Sequence, residues 1–90
     1  MKIACLGDRL SLLGIGLAGI KTLVTVSEGE DVRSKLRELA LSQEYGLILV
    51  TSNIFRQVEE TVKELESTYS LPVFLQIPEM NLLAGVKLVE

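Results

Sequence analysis

The sequence is 90 residues long, 48% apolar but only 4% aromatic, and carries a formal charge of −3 with acids and bases interleaved. That length holds one modest core and excludes a second, and the charge pattern contains no basic stripe of the kind that tracks a phosphate backbone, so nucleic acid is not an expected partner. With so few aromatics the interior must be built from Leu, Ile, Val and Ala, the mixture of helices packed on a buried parallel sheet.

Cys5 is the only cysteine and histidine is absent. An intrachain disulfide, zinc-finger spacing, Ser-His-Asp and Cys-His arrangements and most first-row metal sites are thereby removed. Asp8 comes too early to leave the apolar region of a signal peptide. The stretch from Leu10 to Ile20 is interrupted by Gly14, Gly16 and Gly19 and falls well short of the ~20 residues that span a bilayer. These features predict a soluble, intracellular chain.

Ile3-Ala4-Cys5-Leu6 is a short apolar run closed by Gly7-Asp8, and predicts a buried strand ending in a turn. Leu10, Leu13 and Leu17 then recur at helical spacing, with Gly19 as the helix stop. Thr22-Leu23-Val24-Thr25-Val26, rich in β-branched residues, predicts a second strand. Ser27 and Glu30 have capping-box spacing and start a helix that buries Val32, Leu36, Leu39 and Ala40. Gly46 opens the most apolar strand, Leu47-Ile48-Leu49-Val50, placed at the sheet centre because nothing in it is polar. Thr51, Ser52 and Asn53 can each cap a helix start, and Ile54, Val58, Thr61, Val62 and Leu65 give the buried stripe of a helix reaching about Ser67. Val73 to Ile77 predicts a fourth strand ended by Pro78. The succession β-α-β-α-β-α-β implies right-handed crossovers: a single α/β domain over residues 1–78, with a four-stranded parallel sheet in the flavodoxin- or receiver-like order 2-1-3-4, helices on both faces, and a short tail over residues 79–90.

The motifs that could carry chemistry fail on context. Gly14-Ile15-Gly16-Leu17-Ala18-Gly19 matches G-x-G-x-x-G, but a dinucleotide fingerprint sits where a strand turns into a helix. These glycines come two turns later, and fit close helix–sheet packing and a helix stop instead. Asp8 stands where open α/β sheets bind ligands, yet the carboxylate pair, central-strand Asp and fourth-strand Lys of a phosphoacceptor receiver are missing, which leaves a turn or capping role. Cys5 lies inside a strand between Ala4 and Leu6, the setting of an inert packed thiol. Glu59, Glu60, Lys63, Glu64 and Glu66 form an acidic helix face, read as solvated surface with pairs such as Glu59–Lys63 or as a surface for a basic partner. No P-loop is present. No catalytic residue, cofactor or metal site is expected.

Met1-Lys2-Ile3-Ala4 with Gly7-Asp8, and Leu13-Gly14 with Leu17-Ala18-Gly19-Ile20, resemble the opening of the F subunits of V-type/A-type rotary ATPases, with Ile15 where that family has an aromatic residue. The resemblance continues through Tyr45-Gly46-Leu47-Ile48-Leu49-Val50-Thr51 and Ile54, through Leu71-Pro72-Val73 and Gln76-Ile77-Pro78, and into Gly85-Val86-Lys87-Leu88. The family usually carries a longer stretch, including a C-terminal helix, where only Glu79 to Ala84 stand here, so the family's tail functions do not carry over. The resemblance implies a non-catalytic component of the central stalk, cytoplasmic and peripheral to the membrane. It would be bound to the coiled-coil D subunit and through it to the catalytic head, in a complex coupling ATP hydrolysis or synthesis to proton or sodium transport. Sheet ends and helix starts are where α/β domains carry binding, which makes Asp8, Arg9, Thr51, Asn53, Ile54, Phe55 and Arg56 the candidate interface. The alternative, from another class, is a receiver-like signalling or interaction module without a phosphoacceptor.

Overall fold

The computed structural model describes residues 2–27 and 29–79. Along the chain run β1 (Lys2–Gly7), α1 (Arg9–Leu17), β2 (Thr22–Thr25), α2 (Val32–Leu41), β3 (Tyr45–Thr51), α3 (Ser52–Thr68) and β4 (Val73–Ile77). All strand pairs are parallel and the sheet order is β2-β1-β3-β4, as the sequence predicts. The closing Gly85-Val86-Lys87-Leu88 and the rest of residues 80–90 lie outside the described residues.

The strands without charge take the centre. From Ile3 to Gly7 and from Gly46 to Val50 no side chain is charged, and β1 and β3 pair with Cys5 beside Leu49 and Leu6 beside Val50. On one face Leu6, Ile48, Val50 and Phe74 meet Val32, Leu36 and Ala40 of α2 and Ile54, Val58, Val62 and Leu65 of α3. The predicted stripes of these two helices are buried, with Leu39 half-buried at the margin. The ion pair on the acidic side of α3 joins Glu64 to Arg37 of α2 at 3.1 Å, rather than Glu59 to Lys63 along the helix.

The first helix lies otherwise than its leucines suggest. Leu10, Leu13 and Leu17 are 39%, 62% and 92% exposed, while Ser11 and Leu12 are buried. The cause is the small-residue side of the helix: Gly16 rests on β2 so closely that a Cβ there would stand 3.1 Å from Leu23 Cδ1. The glycine side therefore seats the helix against β1 and β2 and turns the leucine stripe outward. The stop at Gly19 is as predicted, with φ of +101°, a conformation glycine adopts without a Cβ clash.

The second helix starts at Val32, later than the Ser27–Glu30 spacing predicts. Glu30 does accept a hydrogen bond from the Ser27 N–H at 2.8 Å, but Gly29 at φ +86° turns the chain there. Asp31 becomes the cap, its carboxylate taking the Ser34 N–H at 3.3 Å and the Ser34 hydroxyl at 2.8 Å. Lys35 then reaches back to Glu30 at 2.5 Å and donates to the Thr25 carbonyl at 2.9 Å, bracing the end of β2 against α2.

Two outcomes follow from this packing. Leu36→Ala removes a fully buried side chain and should cost about 2–5 kcal/mol in a urea melt, whereas Leu17→Ala should stay within about 0.5 kcal/mol. Equal losses would contradict the outward leucine stripe. The second outcome concerns acid. Bonds from Lys35 and from Ser27 hold the Glu30 carboxyl down from 4.5 to about 2. A depressed carboxyl contributes stability that is present above its unfolded value and lost as pH falls through its folded one. Stability should decline between pH 4.5 and 2, and Glu30→Gln should flatten that decline in an acid titration followed by circular dichroism.

Candidate functional site

At the carboxyl ends of the strands, where an open α/β sheet binds ligands, the side chains of two strand–helix junctions meet. Asp8 leaves β1 in an extended conformation and caps α1. Its carboxylate accepts from the Ser11 N–H at 3.1 Å and from the Ser11 hydroxyl at 2.8 Å. Asn53, on the first turn of α3, donates its Nδ2 to the same carboxylate at 3.1 Å. The Asn53 Oδ1 in turn accepts from the Thr51 hydroxyl at 2.7 Å and from the Ile54 N–H at 2.9 Å. Thr51 thus occupies the cap position of α3 without capping it directly, and works through Asn53.

Gly7 is what lets the two junctions approach. A Cβ at this position would lie 2.6 Å from Thr51 Cγ2 and 2.7 Å from Thr51 Oγ1, and Thr51 is fully buried. On the other side, the Ser52 hydroxyl donates to the Ile77 carbonyl at 2.9 Å and Gln76 donates to Ser52 at 3.1 Å, joining β4 to the start of α3. Arg56 pairs with Glu79 at 3.1 Å.

Burial pushes the Asp8 carboxyl up, but the hydrogen bonds from Ser11 and Asn53 outweigh it and hold the group below the usual aspartate value. It is a carboxylate already committed to three donors, which makes it a clamp between α1 and α3. Burial pushes the Cys5 thiol up to about 11, so at neutral pH it is neither thiolate nor nucleophile. Among the described residues every buried side-chain polar atom has a partner, and no three His, Cys, Asp or Glu come together to hold a metal ion.

Of the residues singled out from the sequence, Asp8, Thr51 and Asn53 are drawn into one network. Ile54 is buried in the core and Phe55 packs half-buried against it. Arg9 and Arg56 are exposed on the rim. Sequence reasoning left Ser11, Gln76 and Glu79 out of the site, and took Gly7 only as a turn residue and Ser52 only as a helix cap. For Ser11 a signal was there, since Asp8-x-x-Ser11 has the spacing of an Asp cap and its N3 donor. For Gly7, and for the bond that Asn53 makes to Asp8, none was, because both depend on the register of β1 against β3.

Removing the clamp tests it. Asp8→Ala and Asn53→Ala should each cost about 1–2 kcal/mol, and the double variant should cost less than their sum in urea denaturation because the two share a bond. Additive losses would mean that the two junctions are held independently.

Known proteins match this chain over most of its length. The profile of the family described as ATP synthase (F/14-kDa) subunit matches residues 3–87. The chain is 36% identical over 83 residues to the A-type ATP synthase F subunit of Thermococcus sibiricus, covering 88% of this chain and 76% of that one. It is 35% identical over 85 residues to the A-type ATP synthase F subunit of Thermococcus kodakarensis, covering 90% and 78%. A V-type ATP synthase F subunit of Fusobacterium nucleatum is 30% identical over 77 residues, covering 86% and 70%. By profile and by relatives alike, the chain belongs to the family of ATP synthase (F/14-kDa) subunits.

Proposed function

We propose that this chain is a non-catalytic central-stalk component of an A-type/V-type rotary ATPase. It docks on the coiled-coil D subunit, turns with it, and modulates how that shaft couples the catalytic head to proton or sodium transport. In this reading it is cytoplasmic and peripheral to the membrane as part of a membrane-bound complex. The observation that carries the proposal is the state of the ligand-binding end of the sheet. In a member of a family of ATP synthase subunits, that end is closed by its own side chains, with Asp8, Ser11, Thr51 and Asn53 satisfying one another. Among the described residues no helix is long and apolar enough to cross a membrane, in keeping with a peripheral place.

The interface proposed is the rim above that closed network. Arg9, and Arg56 by exchanging its exposed pairing with Glu79, offer guanidinium groups to carboxylates of the partner. Asp8, Thr51 and Asn53 fix the angle at which the two helix starts present them, with Ile54 and Phe55 anchoring the start of α3 in the core. A rim charge acts on steering and specificity more than on raw affinity.

The test is size-exclusion chromatography with light scattering of the chain mixed with the coiled-coil D subunit from the same source, followed by titration calorimetry. A stable one-to-one complex is expected, and Arg9→Glu with Arg56→Glu should weaken it by roughly tenfold or more at low salt. Two separate peaks at micromolar concentration would overturn the stalk reading in favour of a receiver-like interaction module. A complex indifferent to both substitutions would move the interface off this rim.

A further inference from the structure

Strand β2 is an edge of the sheet, and an edge strand presents a row of unpaired N–H and C=O groups to any second strand that comes alongside. Successive residues of such a strand turn their backbone groups alternately toward the neighbour and away from it. The Val26 N–H donates to the Gly7 carbonyl at 2.9 Å, which sets the phase. Thr22, Val24 and Val26 face β1, and Leu23, Thr25 and Ser27 face outward.

Side chains from the loop and from α2 already engage two of those outward residues. The Lys35 ammonium donates to the Thr25 carbonyl at 2.9 Å. The Glu30 carboxylate accepts the Ser27 N–H at 2.8 Å through Oε1, and its Oε2 pairs with Lys35. The Ser27 carbonyl takes the Glu30 N–H at 3.1 Å. Donor thus meets carbonyl and acceptor meets N–H along the edge, as the backbone of a further strand would meet them. Local geometry produces the match: Gly29, at φ +86°, folds Glu30 back onto Ser27. Lys35 then stands beyond the three- and four-residue spacing from Glu30 at which ion pairs merely support a helix. Among the described residues no side chain bonds the Leu23 N–H and C=O or the Thr25 N–H.

We infer that the Glu30–Lys35 pair caps this edge and keeps two copies of the chain from joining through β2. The join it blocks has a definite geometry. Two copies related by a twofold axis perpendicular to the sheet would lay their β2 strands antiparallel, with Leu23 of each opposite Thr25 of the other. Both of those pairs would exchange their N–H···O=C bonds, and one bond of each pair ends on the Thr25 carbonyl that Lys35 holds. The join would also cover apolar surface. Leu23 and Thr25 share a groove with Leu13 of α1, and Leu13 and Leu23 are 62% and 36% exposed. The edge therefore has both the open bonds and the apolar flank that promote strand pairing, and a charged lysine is a means by which natural edges prevent it. Bracing α2 against β2 would need only the Lys35–Thr25 bond; the bond from Ser27 to Glu30 extends the cover along the edge.

The inference stands apart from the stalk reading, and its experiment uses the isolated full chain with no partner present. Sedimentation equilibrium over roughly 10–500 μM chain should find the unaltered protein monomeric. Lys35→Met, which frees the Thr25 carbonyl, should self-associate at least about tenfold more tightly, and Glu30→Ala should act in the same direction. Lys35→Arg, which keeps a donor in reach, should stay monomeric. Adding Thr25→Pro to Lys35→Met removes an outward N–H without touching the ladder to β1, and should restore the monomer. Lys35→Met and Glu30→Ala chains that keep the circular dichroism of the unaltered protein and its monomeric state would overturn the inference and leave the pair as a brace alone. So would association that persists with Thr25→Pro, which would place the contact on the leucines of α1 rather than on the strand edge.

Discussion

Two faces of a parallel sheet must both be kept from water, and among the described residues the helices α2 and α3 cover one face while α1 lies over β1 and β2 on the other. Everything else in the molecule is arranged around that constraint. Because Leu6, Ile48, Val50 and Phe74 all look toward α2 and α3, the larger aliphatic cluster is one-sided, and on the opposite face the buried Leu12 of α1 is joined by close contacts at small residues. Gly16 brings α1 down onto Leu23, and Gly7 brings β1 up against Thr51. With aromatics at 4% of the sequence, the chain has few side chains bulky enough to span a gap, and it closes gaps by removing side chains instead.

The same economy explains which parts of the fold were legible in the sequence. Strand order followed from uncharged runs at Ile3 and Leu47 and from crossover handedness, and the stripe of α3 followed from its period, because in both cases one strong apolar pattern had one place to go. The first helix was not legible in this way. Its strongest apolar pattern, Leu10–Leu13–Leu17, faces outward, because the flat, glycine-bearing side made the closer seat. Periodicity identifies a helix but does not say which of two faces packs when both are non-polar. At the second helix two capping signals overlapped, and the positive φ at Gly29 decided between them.

The candidate site divides along a similar line. Local spacing disclosed Asp8 as a cap, since the Asp8–Ser11 bonds span one turn. The Asn53–Asp8 bond joins residues 45 positions apart and exists only because β1 and β3 are neighbours in a particular register. Sequence reasoning reached the residues but not the network, and so could not see that the donors of Asn53 and Ser11 take up most of the acceptor capacity of Asp8. That distinction separates a ligand pocket from a structural clamp. A site awaiting substrate holds polar groups in reserve, whereas here burial, which alone would raise the carboxyl, is overcome by bonds from within the chain.

A clamp at this place has a mechanical meaning. In an open α/β sheet the helix starts above the carboxyl ends are where strands, loops and helices can shear against one another. Here Asp8–Asn53 ties α1 to α3, Ser52–Ile77 ties α3 to β4, and Lys35–Thr25 ties α2 to β2. Each helix start is thereby fastened to an element that is not its sequence neighbour, or to the end of the strand before it. Torque applied at the rim would pass into the sheet through hydrogen bonds that are short and mutually fixed, rather than through a hinge. A rim that cannot yield independently of the sheet is consistent with the stalk role proposed above, and the exposed Leu10, Leu13 and Leu17 of α1 leave an apolar stripe on the surface of the described residues.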